Sequence, residues 1–255
     1  MSLVRRSLRA LLGNLIDYAG LYPPAALPLE QVAGNYDRYL ASPERWILNR
    51  LVLPAAKLKD VPLEKNWRVT LLVDEDPGPM PSQVETLETK GARGLSLPTY
   101  CEAPVDRVHQ AFAKLRTGGV TPDAIPPSSE IADFLCRAAA RRTPFKATAG
   151  LHHPIRSEQP LTYAADSPRA TMHGFVNVFV AAAFAWHGLD RAMLVEVLNE
   201  TSPAAFEFLE GELGWRGHRM ATSQMEAARR EFAHSFGSCS FEEPVQDLRK
   251  LGWLP

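Results

Sequence analysis

The feature that most constrains the fold is a strand–helix–strand unit between residues 111 and 150. Residues 111–117 (AFAKLRT) and 144–150 (PFKATAG) are short apolar segments that contain cations. Gly118 follows the first segment, and Gly150 ends the second. An amphipathic helix over about 128–142 separates the two segments. A crossover of this length joins parallel strands. Because ligands of α/β folds bind at the carboxyl edge of such strands, the unit also predicts where a site lies.

Similar segments extend the pattern to eight predicted strands, which are 15–22, 46–55, 67–74, 84–90, 94–102, 111–117, 144–150 and 235–240. Eight strands, mostly separated by helices, in 255 residues predict an α/β fold of the (β/α)₈ TIM-like barrel type. We expect one domain over residues 1–255 with irregular linkers and an insertion at 188–222. An open, doubly wound sheet is the alternative.

The sequence also predicts the local structure of four segments outside this pattern or ambiguous within it. Residues 84–90 are either a strand or a helix, since only a GARG sequence separates them from the next strand. Ser128 or Ser129 is the expected N-cap of the helix over 128–142. Residues 151–171 are expected to be a lid or binding loop, and 204–220 a hairpin around Gly211 or Gly214.

Composition restricts the partners and the compartment. The chain is 45% hydrophobic and 22% charged with a net charge of −1, so a nucleic-acid partner is not expected. The chain has three cysteines, Cys101, Cys136 and Cys239. Their spacing is not typical of a metal site or of a disulfide framework, and we expect reduced thiols in a cytoplasmic protein. The longest apolar run, 175–186, is too short to span a bilayer, and polar residues interrupt the basic N-terminal helix, unlike a signal peptide. The sequence is compatible with a homo-oligomer and does not fix the oligomeric state.

Lys146 is the first candidate catalytic residue. Side chains alternate along a strand, so Lys114 and Arg116 share one face, and Lys146 and Thr148 share one face of the next strand. Burial and a neighbouring cation lower a lysine pKa, and a neutral amine forms Schiff bases with carbonyl compounds. The alternative role is an ion pair with a carboxylate or a hold on an anionic group, which is the commoner use of lysines inside barrels.

A resemblance supports the first role. The sequence Phe145-Lys146-Ala147-Thr148-Ala149-Gly150 is similar to the Lys-Thr-Ser-Thr-Gly strand of deoxyribose-phosphate aldolases, which are class I aldolases with a TIM barrel. Lys146, Thr148 and Gly150 carry the likeness, which implies Schiff-base chemistry at Lys146. That family has a second lysine on the following strand, whereas the nearest equivalent here, Lys114, precedes Lys146.

Acidic residues and histidines at strand ends offer other chemistry. Glu88 and Glu102 end predicted strands, and His152 and His153 follow another. Carboxylates on adjacent strands commonly hold Mg or Mn, so Glu88, Glu102 and His152 form an alternative metal site. Glu88 and Glu102 could equally form salt bridges with the lysines. His173 is expected to fill core or cap a helix.

Taken together, these residues predict a carbon–carbon lyase or aldolase that acts on a small anionic carbonyl compound without a cofactor. Lys146 is the nucleophile, Lys114 lowers its pKa, and Glu102 or His152 moves protons. The substrate is held by Arg116, Thr148, His153 and the Gly118-Gly119 turn, which is a candidate anion site. The alternatives are a Mg- or Mn-dependent lyase or isomerase of a small carboxylate or phosphate, and a non-catalytic protein that binds a small acid.

Overall fold

The computed structural model describes residues 4–91 and 93–255. The start of the predicted N-terminal helix and Ala92 of the GARG connection lie outside these residues. The strands are β1 (Ile16–Tyr18), β2 (Leu48–Pro54), β3 (Val69–Leu72), β4 (Val84–Thr89), β5 (Thr99–Cys101), β6 (Phe112–Arg116), β7 (Phe145–Thr148), β8 (Ser157–Pro160), β9 (Arg169–Met172), β10 (Phe206–Phe208), β11 (Glu212–Trp215), β12 (His218–Ala221) and β13 (Ala233–Ser238). The helices are α1 (Arg6–Leu12), α2 (Leu29–Leu40), α3 (Ser128–Ala140), α4 (Phe175–Trp186), α5 (Arg191–Asn199), α6 (Thr222–Glu231) and α7 (Glu242–Lys250).

Eight of the strands close into a parallel barrel in the order β1-β13-β7-β6-β5-β4-β3-β2. Each of them falls on one of the eight predicted segments, so the (β/α)₈ TIM-like barrel is confirmed. The segment 84–90 is a strand, because Thr86 and Glu88 face one side of β4 and Leu87 the other. No α-helix separates β4 from β5 within the described residues.

The apolar core fills the space between the barrel and its helices. Helix α4 has no exposed face, and its residues from Phe175 to Ala185 are all buried. This is expected for a helix that is apolar all round. Phe145 of β7 packs against Phe134, Phe179 and Phe232, with ring centroids 5.0–6.3 Å apart. Among the described residues, no helix is long and apolar enough to cross a membrane.

Two local predictions are corrected, and the predicted hairpin around Gly211 is confirmed and extended by a further strand. Pro127 occupies the N-cap of α3, and the hydroxyl of Ser128 bonds to Asn199 Oδ1 at 2.7 Å instead of capping. The expected loop over 151–171 contains the antiparallel hairpin β8–β9. Residues 204–220 begin a three-stranded sheet, with Gly211 between β10 and β11 and a second turn at Arg216-Gly217, where both φ angles are positive.

Gly214 lies inside β11, where a Cβ would meet the side chain of Arg219 at 2.2 Å. It is therefore a position within a strand rather than in a turn. Residues 188–222 contain α5 and this three-stranded sheet, which add to the simple alternation of strands and helices.

Candidate active site at the carboxyl end of the barrel

Lys146 lies inside the barrel between two carboxylates. Its Nζ is 2.5 Å from Asp17 Oδ2 on β1 and 2.5 Å from Glu88 Oε1 on β4. Only 1% of the Lys146 side chain is exposed. Burial lowers its pKa, but the charges of Asp17 and Glu88 outweigh burial and raise the pKa above its ordinary value. The expectation of a lowered pKa is therefore wrong, and Lys146 is a buried cation in an ion pair.

Asp17 is held in place by neutral donors as well as by Lys146. Asn49 donates from Nδ2 to Oδ1 at 2.7 Å, and Ser235 donates from Oγ to Oδ2 at 2.8 Å. Burial raises the pKa of Asp17, but the charges of Lys146 and Arg50 and the hydrogen bonds from Lys146 and Ser235 more than compensate, and the pKa is lowered. The carboxylate therefore stays ionised inside the barrel.

Lys114 lies one strand away from Lys146 and directly opposite it in the parallel register of β6 and β7. Its Nζ is 2.7 Å from Glu88 Oε2 and 3.4 Å from Glu102 Oε2. Glu88 therefore bonds to both lysines. Burial raises the pKa of Glu88, but Lys146 and Lys114 reverse the effect and the pKa is lowered.

Arg116 continues the series of charges to the rim. Its Nε and Nη2 lie 2.8 and 2.7 Å from Glu102 Oε1. Burial raises the pKa of Glu102, but the hydrogen bond from Arg116 and the charge of Lys114 hold the pKa below its usual range. The structure therefore brings Lys114, Arg116, Lys146 and Glu102 into one connected series of ion pairs. The six groups alternate in sign from the interior to the rim, in the order Asp17, Lys146, Glu88, Lys114, Glu102 and Arg116.

A cavity of about 520 Å³ opens above this series at the carboxyl ends of the strands. Lys114 forms part of its lining, whereas Lys146 lies beneath it. Among the other lining residues are Tyr22, Asp74, Glu88, Lys90, Glu102, Arg116, Gly119, Thr148 and His152. Gly118 does not line the cavity. A Cβ at Gly118 would lie 3.0 Å from the Cα of Gly150, so glycine allows the two strand ends to approach.

His152 and His153 are adjacent in sequence but line different cavities. His152 lines the cavity, and its Nδ1 is 3.1 Å from Glu243 Oε2. Because a carboxylate only accepts, Nδ1 carries the proton in this pair and Nε2 is left for other partners. His153 bonds through Nδ1 to Asp247 at 2.6 Å and lines a different surface pocket. The structure does not bring His153 to the barrel mouth.

Glu243, in the first turn of α7, is the residue that orients His152. Its backbone N–H donates to Ser240 Oγ at 3.1 Å near the start of α7, where Phe241 is the N-cap. Its side chain turns to His152 and also accepts a hydrogen bond from the Tyr163 hydroxyl at 3.2 Å.

The alternative metal ligands are not placed around one point. Glu88 and Glu102 both bond to Lys114, while His152 bonds to Glu243. In the part of the chain that the structure describes, no three His, Cys, Asp or Glu side chains are arranged to hold a metal ion. His173 is buried and bonds to the carbonyl of Pro126 and to Arg156, which confirms its structural role.

Sequence reasoning missed Asp17 and Tyr22. Asp17 was detectable as the one charged residue within an otherwise apolar strand segment, NLIDYAGLY. The Tyr22 hydroxyl is buried and has no hydrogen-bond partner among the described residues. Burial raises its pKa, and the nearby charge of Glu88 adds to the effect, so the phenol stays protonated. It is a hydrogen-bond donor without an acceptor at the wall of the cavity.

Comparison with known proteins returns no relative. No protein-family model, no curated protein and no solved structure matches the chain. The likeness of residues 145–150 to aldolases therefore stays a prediction. Because one barrel fold supports many reactions, the function has to be argued from the side chains of the site.

Proposed function

We propose that the protein is a carbon–carbon lyase of the aldolase type, which forms a Schiff base between Lys114 and a small anionic carbonyl compound. One observation carries the proposal. Lys114 is a lysine on the wall of the cavity, and each of its two carboxylate partners is bonded to another cation. When Lys114 gives up its proton, Glu88 remains paired with Lys146 and Glu102 remains paired with Arg116.

Lys146 does not share this property. If Lys146 became neutral, Asp17 would be left in the barrel without a bonded cation, and a buried unpaired carboxylate is strongly unfavourable. Its side chain is 1% exposed, compared with 9% for Lys114. The reacting amine is therefore moved one strand along the barrel from the residue that the aldolase resemblance implies.

Proton transfer starts at Glu102. Its carboxylate lies 3.4 Å from the Lys114 ammonium and is 24% exposed, so a proton taken from Lys114 passes on to water in the cavity. The neutral amine then attacks the carbonyl carbon, and the carbinolamine loses water to form the imine. Tyr22 donates a hydrogen bond to the carbonyl oxygen during this addition.

His152 acts at the carbon–carbon bond. With Nδ1 bonded to Glu243, its Nε2 takes the proton from a substrate hydroxyl as the carbon–carbon bond breaks, and the hydroxyl-bearing fragment leaves as an aldehyde or ketone. The electron pair of the broken bond moves into the protonated imine and forms an enamine on Lys114, which protonation at carbon and hydrolysis release as the second product. Lys90 and Arg116 attract the anionic end of the substrate from the cavity lining. The volume of about 520 Å³ suits a small molecule.

Trapping with borohydride tests the proposal. The protein is incubated with a panel of small phosphorylated or carboxylated aldehydes and ketones, reduced, and analysed by peptide mass spectrometry. We expect one adduct, located on Lys114, and none in Lys114→Met. Lys59, an exposed lysine that does not line the cavity, provides the control variant Lys59→Met, which keeps the adduct. An adduct on Lys146 would restore the implied nucleophile, and no specific adduct across the panel would refute Schiff-base chemistry.

A further inference from the structure

A second cavity lies at the opposite, amino-terminal end of the barrel. Its volume is about 500 Å³. Its wall is formed by residues at or just before the starts of the barrel strands and by helix α6, which include Arg50, Arg68, Glu85, Arg229 and His234. None of these residues lines the cavity at the carboxyl end. The two cavities are therefore separate sites.

Positive charge exceeds negative charge in this wall. Arg50 and Arg68 both donate from Nε to the single carboxylate of Glu85, at 2.8 and 2.9 Å. Arg229 is buried, and the partners of its guanidinium among the described residues are backbone carbonyls, those of Leu11, Gly13, Ala233 and His234. Three guanidinium groups thus face one carboxylate, a surplus of two positive charges.

The remaining charges at the edge of the cavity do not change this balance. Arg230 is bonded to Glu231, and Glu226 is bonded to Arg6, so each has its own partner outside the cavity. His234 is neutral at pH 7, because burial, with the charge of Arg229 as a smaller cause, lowers its pKa to about 4.

The arginines keep donors free for a ligand. Arg50 uses only its Nε among the hydrogen bonds of the described residues, and Arg68 adds one long contact from Nη1 to Asn14 Oδ1 at 3.4 Å. The Arg50 side chain is only 15% exposed, so its charge is poorly screened by water. Glu85 fixes both side chains, while both terminal nitrogens of Arg50 and Nη2 of Arg68 have no hydrogen-bond partner among the described residues. Paired guanidinium forks suit the tetrahedral oxygens of phosphate.

We propose that this amino-terminal cavity binds a phosphate dianion between Arg50 and Arg68, either as inorganic phosphate or as the phosphate end of a monoester. The charge of the ligand matches the surplus of two. The site does not depend on the Schiff-base chemistry of Lys114.

Calorimetric titration with inorganic phosphate, in a buffer free of other oxyanions, tests the site. We expect one bound ion per chain, and binding weaker by about tenfold or more in Arg68→Gln, because hydrogen bonds between charged groups are lost. Arg68→Lys keeps the charge without the fork and should bind with intermediate affinity. Arg141→Gln, an exposed arginine beyond the end of α3, should bind as the unmodified protein does.

Lys114→Met should also bind phosphate unchanged, which locates the ion away from the carboxyl-end cavity. The same titration with phenyl phosphate separates the two sources: tighter binding than inorganic phosphate supports a monoester, and equal or weaker binding supports the free ion. Absence of binding, equal binding in Arg68→Gln, or loss of binding in Lys114→Met alone would overturn the proposal.

Discussion

Lys114 and Lys146 lie opposite each other on neighbouring parallel strands, and the carboxylate of Glu88 bonds to both ammonium groups. Two cations at the same level of a barrel repel each other unless an anion separates them. Glu88 meets this need from across the barrel. The other partners differ, since Asp17 is buried whereas Glu102 is partly exposed near the rim. The inner lysine is thus enclosed between two carboxylates, whereas the outer lysine lies on the wall of the cavity.

Lys146→Met should be strongly destabilising. The substitution leaves Asp17 without its cation and removes one of the two cations of Glu88, and breaking a buried ion pair costs about 3–5 kcal/mol. The free energy of unfolding, measured by urea denaturation, should fall by an amount in that range.

Lys114→Met is the matched control for this measurement. Both of its carboxylate partners keep another cation, so we expect a smaller loss of stability. Adding Asp17→Asn to Lys146→Met should recover part of the lost stability, because it removes the uncompensated charge. If Lys146→Met and Lys114→Met lowered the free energy of unfolding equally, the two lysines would not differ in their contribution to stability.

His152→Ala should lower kcat by about a hundredfold or more if its imidazole moves a proton in the reaction. Glu243→Gln should have a smaller effect in the same direction, because it weakens the hydrogen bond that orients the ring. Both are measured with the compound that labels Lys114. Asp247→Asn provides the control, since it alters the partner of His153 outside the cavity and should leave kcat unchanged. A similar loss in Asp247→Asn would assign the effect to general disruption of this surface.

The strands and the position of the site were predictable from local sequence. Lys114, Arg116 and Lys146 stand out because cations within short apolar strands have to face a polar space, and alternation gives their faces. The sign of the pKa shift at Lys146 was not predictable in this way. It depends on Asp17 and Glu88, which belong to strands that are not neighbours of β7. Only closure of the barrel brings those carboxylates within 2.5 Å.

Local signals also failed where tertiary contacts compete with them. Serine is a common N-cap residue, yet the hydroxyl of Ser128 bonds to Asn199 on α5, which is distant in sequence. Glu243 matches a capping box, but its side chain bonds to His152. In both cases a long-range partner replaces the local one, and a sequence pattern contains no information about that partner.

The stability of the protein should decrease as the pH falls from about 6.5 to about 4, in part because of His234. Burial, together with the charge of Arg229, lowers the pKa of this histidine to about 4 from its ordinary value of 6.5. Between these values the unfolded chain binds a proton that the folded protein does not, so acid favours unfolding. The linked loss is on the order of 3 kcal/mol.

His234→Gln should remove most of this dependence, when unfolding free energies are compared at pH 7 and pH 4.5 in buffer without phosphate. His173, whose pKa burial also lowers, contributes in the same direction and remains in the variant. An unchanged pH dependence in His234→Gln would show that the buried histidine is not held neutral.

Tyr22→Phe should separate stability from function. The Tyr22 hydroxyl is buried without a hydrogen-bond partner among the described residues, and such a group carries a desolvation cost of about 1–3 kcal/mol. Removing it should therefore leave the free energy of unfolding unchanged or raise it by about 1 kcal/mol. The same change removes the donor to the substrate carbonyl, so the rate of borohydride-trapped labelling of Lys114 should fall.

Ser7→Ala is the control for Tyr22→Phe, because Ser7 Oγ on α1 is also buried and without a partner within the described ranges. Its substitution should raise stability, through the lost hydroxyl and the higher helix propensity of alanine, while the labelling rate stays the same. If Tyr22→Phe lowered stability instead, the hydroxyl would have a partner within the protein and would not be reserved for a ligand. If it left the labelling rate unchanged, Tyr22 would have no part in addition to the carbonyl.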